Sequence, residues 1–199
     1  MEAPRIVRHR VFRYASFLPL PEVDALTARV LALESAFVPS FTNDHDDDYR
    51  RSLVLNPPED LQRAMVAKVR MLMPEVLRGL GVDFPVGIVE CQVTANNDGS
   101  YFRVHTDADD DGLRKRELTY VYYFNRMPLG YSGGELRVYD DEVRNNKLAR
   151  RDSFQTIAPE HNTIVFFHAR VMHEVTPVSV PTKAFGDSRF TVNGWVQRT

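Results

Sequence analysis

Gly99-Ser-Tyr-Phe-Arg-Val-His-Thr-Asp107 is the stretch from which the rest of this chain is read. Its aromatic and β-branched residues suit a strand, and Tyr101, Arg103, His105 and Asp107 share one parity. In an extended segment, side chains two apart leave the same face. The pattern therefore stands an imidazole beside a carboxylate. Two histidines and one carboxylate on one face, with the opposite positions open, hold Fe(II) in non-haem oxygenases. A second histidine must come from far along the chain, and His173 is the candidate. A lone His-x-Asp is common, so the weight falls on what accompanies it.

The 199 residues suit one domain of ordinary size with a full hydrophobic core. Apolar residues at 43% and charged residues at 26% make the composition globular. A net charge of −2 gives no electrostatic footprint for nucleic acid or an anionic membrane. No apolar run reaches the roughly 18–20 residues of a membrane helix. Neither nucleic acid nor membrane is expected as a partner. The single cysteine, Cys91, excludes an internal disulfide and a cysteine-based zinc cluster. The N-terminal residues lack the apolar core of a secretory signal, and the expected location is the cytoplasm.

Working outward, residues 6–14 mix β-branched and basic residues and read as an opening strand. Pro19 and Pro21 lead into Val23, Leu26, Val30, Leu31 and Leu33, a helical apolar stripe. Residues 38–51 are polar and acidic and read as a loop, followed by a short strand from Ser52 to Leu55. Pro57-Pro58-Glu-Asp opens a second helix through Leu61, Met65, Val69, Leu72, Val76 and Leu77. Pro74 is expected to kink or split it, and Gly79 and Gly81 to stop it.

From residue 86 the texture changes to short β-rich runs: Val86 to Val93, Tyr101 to His105, Leu118 to Asn125 and Glu135 to Tyr139. Phe154 to Ile157, Thr163 to Phe167, His173 to Val180 and Arg189 to Val196 continue the series. Asn-Asn-Asp-Gly, Gly-Tyr-Ser-Gly-Gly, Pro-Glu-His-Asn and Phe-Gly-Asp-Ser separate them with turn chemistry. Two helices before about eight strands predict an α+β, mainly β chain. The architecture expected is a double-stranded β-helix (jelly roll, cupin-like) with the N-terminal helices packed on one sheet. One domain spans 1–199, its helical part at about 1–85 and its jelly-roll core at about 86–199.

Later motifs converge on the first. Ser132-Gly133-Gly134-Glu135-Leu136 starts a strand with two glycines, which suits a tight turn or a close backbone approach. Asn162-Thr-Ile-Val-Phe-Phe167 is a buried-strand run just before His168-Ala-Arg-Val-Met-His173-Glu-Val-Thr-Pro177. Arg189-Phe-Thr-Val-Asn-Gly-Trp195 follows 16 residues after His173. In this order the chain resembles the 2-oxoglutarate- and Fe(II)-dependent dioxygenases of the prolyl 4-hydroxylase-like branch, over roughly residues 86–197. His105-Thr-Asp107 resembles the family's His-x-Asp, Gly133-Gly134-Glu-Leu136 its Gly-Gly strand, His173-Glu-Val its distal histidine motif, and Arg189 with Trp195 its closing strand.

The resemblance implies that His105, Asp107 and His173 bind Fe(II), and that 2-oxoglutarate and O2 take the open positions. The far carboxylate of 2-oxoglutarate needs a cation, and Arg189 offers a planar fork for it. Tyr123, in Tyr120-Val-Tyr-Tyr-Phe-Asn125, stands where the family places a tyrosine that helps hold that carboxylate. Thr119, Thr191 and Asn193 would line the same pocket, with Val121, Leu136 and Trp195 as apolar walls. The expected reaction is hydroxylation of a C–H bond of an amino acid or a peptide or protein residue, with succinate and CO2 as coproducts. Related halogenases replace the carboxylate ligand by Ala or Gly, so Asp107 favours hydroxylation. Ascorbate is left open as a further cofactor. Two other readings belong to different classes: a cupin-like metal or ligand binder without turnover, and a cupin-type isomerase that needs metal but neither O2 nor 2-oxoglutarate.

Two features depart from the family pattern. Asn96 stands where a tyrosine often precedes the turn before His-x-Asp. The interval from His173 to Arg189 is long, with Val180 to Asp187 reading as an insertion, which makes Lys183 a second candidate for the carboxylate partner. His168 is the rival of His173 as a ligand, although a strand-end histidine with an ordinary hydrogen bond is the better reading. His9, His45 and His161 fall in arms or loops. Arg103 is a candidate to face substrate or, equally, an edge-strand arginine. The acidic runs Asp44 to Asp48 and Asp107 to Gly112 lack the ligand spacing of a calcium site and read as solvated loop tips. With Asp140 to Lys147 they are candidates to flank the mouth of the site, as a lid or in favour of cationic substrates.

Overall fold

The computed structural model describes residues 5–40, 49–108, 113, 115–144 and 147–199. The chain begins with β1 (Arg5–Val7), β2 (Phe12–Ala15), α1 (Leu20–Ala32), β3 (Val38–Pro39), β4 (Arg50–Arg51), β5 (Leu53–Leu55) and α2 (Glu59–Leu80). It continues through β6 (Val86–Val89), β7 (Gln92–Asn96), β8 (Tyr101–His105), β9 (Arg116–Phe124), β10 (Ser132–Gly133) and β11 (Leu136–Arg144). The closing strands are β12 (Lys147–Ile157), β13 (Thr163–His168), β14 (His173–Val175), β15 (Val178–Ser179) and β16 (Arg189–Arg198).

Two antiparallel sheets make the jelly roll. The larger runs β2-β13-β9-β16-β7-β5-β3, with β6 also paired to β16. The smaller runs β1-β11-β14-β8-β4, with β12 paired to β11. The reading of a mainly β chain with two helices on one sheet agrees with this architecture.

The larger sheet is buried on both faces, and strand parity says how. Leu118, Tyr120, Tyr122 and Phe124 of β9, Ile164 and Phe166 of β13, and Phe190, Val192 and Val196 of β16 form one cluster with the helices. The helices contribute Val23, Leu26 and Val30 from α1 and Leu61, Met65, Val69, Met73, Val76 and Leu80 from α2, at the spacing of one helical face. Each such side chain contributes about 1.5–3 kcal/mol over leaving it exposed. The alternate residues of the same strands, among them Tyr123, Val165 and Phe167, face inward and pack with Leu136 and Val138 of the smaller sheet. The cavity described below opens in this inner layer.

The structure revises several boundaries. α2 runs as one helix through Pro74, and Gly79 lies inside it. Gly81 alone ends it, at φ 72°, with Val82 N–H closing on the Leu77 carbonyl at 3.0 Å. The expected run Val86 to Val93 is two strands, β6 and β7, which pair with successive parts of β16. The opening strand is also two: β1 joins the smaller sheet and β2 the larger. The described part of the polar excursion after the Gly-Gly strand, residues 140–144 and 147, is strand rather than a loop over the mouth. It extends β11 to Arg144 and pairs with β12, because Asp141 accepts from His9 at 2.8 Å and Asp140 from Ser153 at 2.7 Å. Among the described residues, no helix is long and apolar enough to cross a membrane.

Candidate active site

His105 and His173 are direct cross-strand partners of β8 and β14. Between them and the Phe102–Val175 pair the register slips, so that three steps on β8 face two on β14. This bulge overturns the simple parity of the Gly99–Asp107 stretch. Phe102 turns inward with His105, their rings stacked at 3.5 Å, while Arg103 is exposed and lies off the cavity. Asp107 lies past the strand end, where its backbone N–H donates to the Ala169 carbonyl at 2.8 Å.

The three side chains form a compact group. His173 Nε2 stands 3.3 Å from Asp107 Oδ2, and His105 Nε2 stands 3.7 Å from Asp107 Oδ1. All three donor atoms lie within 4.8 Å of one another. Adjacent ligands of an octahedral ion with bonds of about 2.1 Å stand about 3 Å apart, so the group fits a divalent metal with little adjustment. Both Nδ1 atoms lie on backbone carbonyls, His105 on Arg103 at 2.7 Å and His173 on Val171 at 2.9 Å. Donation from Nδ1–H leaves each Nε2 lone pair facing the centre. Thr119 Oγ1 donates to Asp107 Oδ2 at 2.6 Å and fixes the carboxylate.

Electrostatics keep His105 and Asp107 in their binding forms. Burial pulls His105 down to about 3, helped by the neighbouring His173 and opposed by Asp107, so its imidazole is neutral near pH 7. Burial alone would push Asp107 up. The adjacent His173 imidazole, then His105 and the Thr119 hydrogen bond outweigh it and hold the carboxylate below its usual range.

The larger sheet supplies the opposite wall. Tyr123, Val121 and Thr119 of β9 stand across from Thr191, Asn193 and Trp195 of β16, and Asn96 and Thr94 of β7 across from Arg189 and Thr191. Arg189 is 2% exposed, yet among the described residues no carboxylate pairs with it. Its Nε and the Tyr123 hydroxyl are both buried without a hydrogen-bond partner, and the guanidinium lies 5.0 Å from the centre of the Tyr123 ring. Burial raises the Tyr123 hydroxyl above its ordinary value, opposed by the charge and the close approach of the Arg189 side chain, so it remains a donor. An orphan cation beside an orphan donor is a cradle for a carboxylate.

Gly133 and Gly134 explain why a Gly-Gly pair precedes this strand. Both have positive φ, 75° and 72°. A Cβ on Gly133 would meet the Pro177 carbonyl oxygen at 2.2 Å, and one on Gly134 would meet Arg189 Cδ at 2.5 Å. The stem of Arg189 passes directly beneath the turn.

His105, Asp107, His173, Arg189, Tyr123, Thr119, Val121, Leu136, Thr191, Asn193 and Trp195 all line one cavity of about 590 Å3 including its open mouth. Trp195 is held by Arg116, whose guanidinium lies 3.6 Å from the ring centre and pairs with Glu90. Lys183 does not compete with Arg189: it is exposed, 4.0 Å from Asp98, and off the cavity. His168 lines no part of it either, His9 pairs with Asp141, and His161 accepts from the Asn125 backbone. His45 and the acidic runs 44–48 and 109–112 lie outside the described residues. The lining also includes Arg50, Phe102, Thr94, Asn96 and Val175. Val175 and Thr94 follow from parity with His173 and register with β16. Asn96 was legible only as a departure. Phe102 needed the bulge, and Arg50 came from a stretch read as loop.

The model of the 2OG-Fe(II) oxygenase superfamily matches residues 91–197, more than half of the chain, and the protein belongs to that family, whose members use Fe(II) and 2-oxoglutarate. An uncharacterized PKHD-type hydroxylase from Synechocystis is 39% identical over 186 residues, covering 92% of this chain and 61% of the relative. The chain thus spans about three-fifths of that relative's length. A prolyl-4-hydroxylase from Pseudomonas putida shares the fold with a TM-score of 0.69 at 24% identity, over 96% of this chain and 94% of its own. A prolyl hydroxylase from Trichoplax adhaerens, solved with a hypoxia inducible factor peptide, has a TM-score of 0.67 at 18% identity, over 94% of this chain and 83% of its own.

Proposed function

We propose that this protein is an Fe(II)- and 2-oxoglutarate-dependent dioxygenase that hydroxylates a C–H bond of an amino acid or of a peptide or protein residue, with succinate and CO2 as coproducts. The observation that carries the reading is the pairing, in one cavity, of the His105–Asp107–His173 group with the orphan cation Arg189. A metal binder or an isomerase has no use for a buried guanidinium that pairs with no carboxylate among the described residues.

His105, Asp107 and His173 would hold the iron through Nε2, a carboxylate oxygen and Nε2. Arg189 and Tyr123 would hold the far carboxylate of 2-oxoglutarate, the guanidinium through its N–H groups and the tyrosine through its hydroxyl. Thr119 would keep Asp107 turned to the metal, while Val121, Leu136 and Trp195 would exclude water. Iron with bound 2-oxoglutarate supplies the oxidising chemistry from O2. The protein positions and shields it. With Asp107 as a ligand, the place that halogenases give to a halide would be taken by a carboxylate, which supports hydroxylation. The proposed location is the cytoplasm.

Anaerobic addition of Fe(II) and then 2-oxoglutarate to the apo-protein tests this. A visible charge-transfer absorption is expected, lost in His173→Ala and requiring about a hundred-fold more 2-oxoglutarate in Arg189→Ala, as removal of a buried charge partner does. Bound iron with no absorption in the wild type would sink the dioxygenase reading and leave a cupin-like binder or isomerase.

A further inference from the structure

Among the described residues, the cavity is lined by two guanidinium groups and one carboxylate, that of Asp107. Arg189 lies on the larger sheet. Arg50 lies on the facing one, in β4 beside β8, with its Cζ 4.8 Å from the centre of the Phe102 ring that stacks on His105. Its Nε–H donates to Ser52 Oγ at 3.0 Å, and Ser52 donates on to Ser40 Oγ at 3.0 Å. The arm is thereby tethered, and among the described residues its terminal N–H groups have no hydrogen-bond partner. Among the described residues the charge of Asp107 acts on Arg50 across the cavity, but no carboxylate forms an ion pair with it.

Charge decides what the free end takes. In the loaded site the two charges of Fe(II) and the one of Arg189 are matched by Asp107 and the two carboxylates of 2-oxoglutarate. Among the described residues, Arg50 then remains as a surplus positive charge in a partly desolvated wall. A guanidinium there favours a planar anion that it can grip with two N–H groups. A neutral occupant would shut it from water without a partner, which costs binding energy. The acidic runs that suggested cationic substrates lie outside the described residues, and the described wall carries the opposite sign.

Resting on the dioxygenase reading above, we propose that Arg50 binds a carboxylate of the molecule to be oxidised. The substrate is then an acid: a free amino acid held by its α-carboxylate, or a peptide held by a terminal or side-chain carboxylate. Because Arg50 stands on the wall that carries His105, the anchor places the substrate at the metal end and leaves Arg189 to 2-oxoglutarate.

The test titrates the protein, loaded anaerobically with Fe(II) and 2-oxoglutarate, and reads the shift of its visible absorption. The probes are the free L-amino acids, their C-terminal amides, and short peptides with free, amidated or acidic ends. At least one acid is expected to shift the absorption at a concentration about ten- to a hundred-fold below its amide. Arg50→Gln is expected to raise the acid's midpoint to that of the amide, and Arg50→Lys to recover part of the difference. Response to free amino acids alone assigns the first source, and response to carboxylate-bearing peptides the second. Circular dichroism shows which variants fold. If Arg50→Gln does not, Arg50→Lys still decides, since losing the fork while keeping the charge must raise the acid's midpoint and leave the amide's in place. Equal response to acids and amides, equal response of wild type and folded variant, or no response to any acid overturns this proposal and leaves the dioxygenase reading intact. Absence of the absorption in the wild type overturns that reading, and this one with it.

Discussion

Arg189 and Tyr123 reach the cavity by strand parity alone, whereas His105 and Asp107 reach it where parity breaks. The Arg189 wall belongs to β16, β9 and β7, in register and backed by α1 and α2. The facing wall uses a bulge in β8, a residue beyond its end, and the three-residue strand β14. A regular, doubly covered sheet can bury an unpaired cation, because the packing behind it leaves the side chain nowhere else to go. The irregular wall has no such backing, so its donors are aimed one by one, by the carbonyls of Arg103 and Val171 and the hydroxyl of Thr119.

Substitutions can break this contrast, and the largest effect is expected at the irregular wall. Asp107→Ala removes the only carboxylate of the trio, and Fe(II) affinity measured by anaerobic equilibrium dialysis should fall more than about a hundred-fold, beyond the loss typical of a supporting residue. At the regular wall, Arg189→Met should separate function from stability. The need for 2-oxoglutarate should rise about a hundred-fold, while the apo-protein should melt a few degrees higher, since an unpaired buried charge is replaced by an apolar side chain of similar length. A lower melting temperature would mean that Arg189 is satisfied in the apo-protein.

Smaller changes sharpen the comparison. Gly134→Ala puts a Cβ 2.5 Å from Arg189 Cδ at a φ of 72°. A loss of about 1–3 kcal/mol in urea unfolding is expected, with weaker 2-oxoglutarate binding and near-normal Fe(II) affinity. If both ligands weakened alike, the two walls would not be separable. Thr119→Val deletes the 2.6 Å hydrogen bond to Asp107 from the opposite sheet. Fe(II) affinity should fall about ten-fold, at the low end for a residue that orients a ligand, without change in 2-oxoglutarate dependence at saturating iron.

The regular parts of the molecule were the legible ones. The sequence reads Tyr101 to His105 as a strand at its actual bounds, and the helix faces of α1 and α2 follow from their spacing. Parity also put Thr191 and Asn193 with Arg189, and Val121 with Tyr123. What escaped depends on partners distant in sequence. Arg50 becomes a cavity residue only because β4 pairs with β8, and Phe102 only because the ladder slips against β14. The Asp140–Lys147 stretch reads as loop because its acids are polar, yet His9 and Ser153, far away in sequence, make their burial tolerable.

By itself the sequence determined the residue types and their order: two histidines, an aspartate, a pair of glycines and an arginine on strands whose period assigns each a face. Tertiary structure alone decided that the glycines make room for the stem of Arg189, that a bulge turns Phe102 inward with His105, and that a second arginine enters the same cavity. Period and propensity are local and survive in a string of letters. Register, bulges and the pairing of charges arise between strands, and they exist only once the sheets have closed on each other.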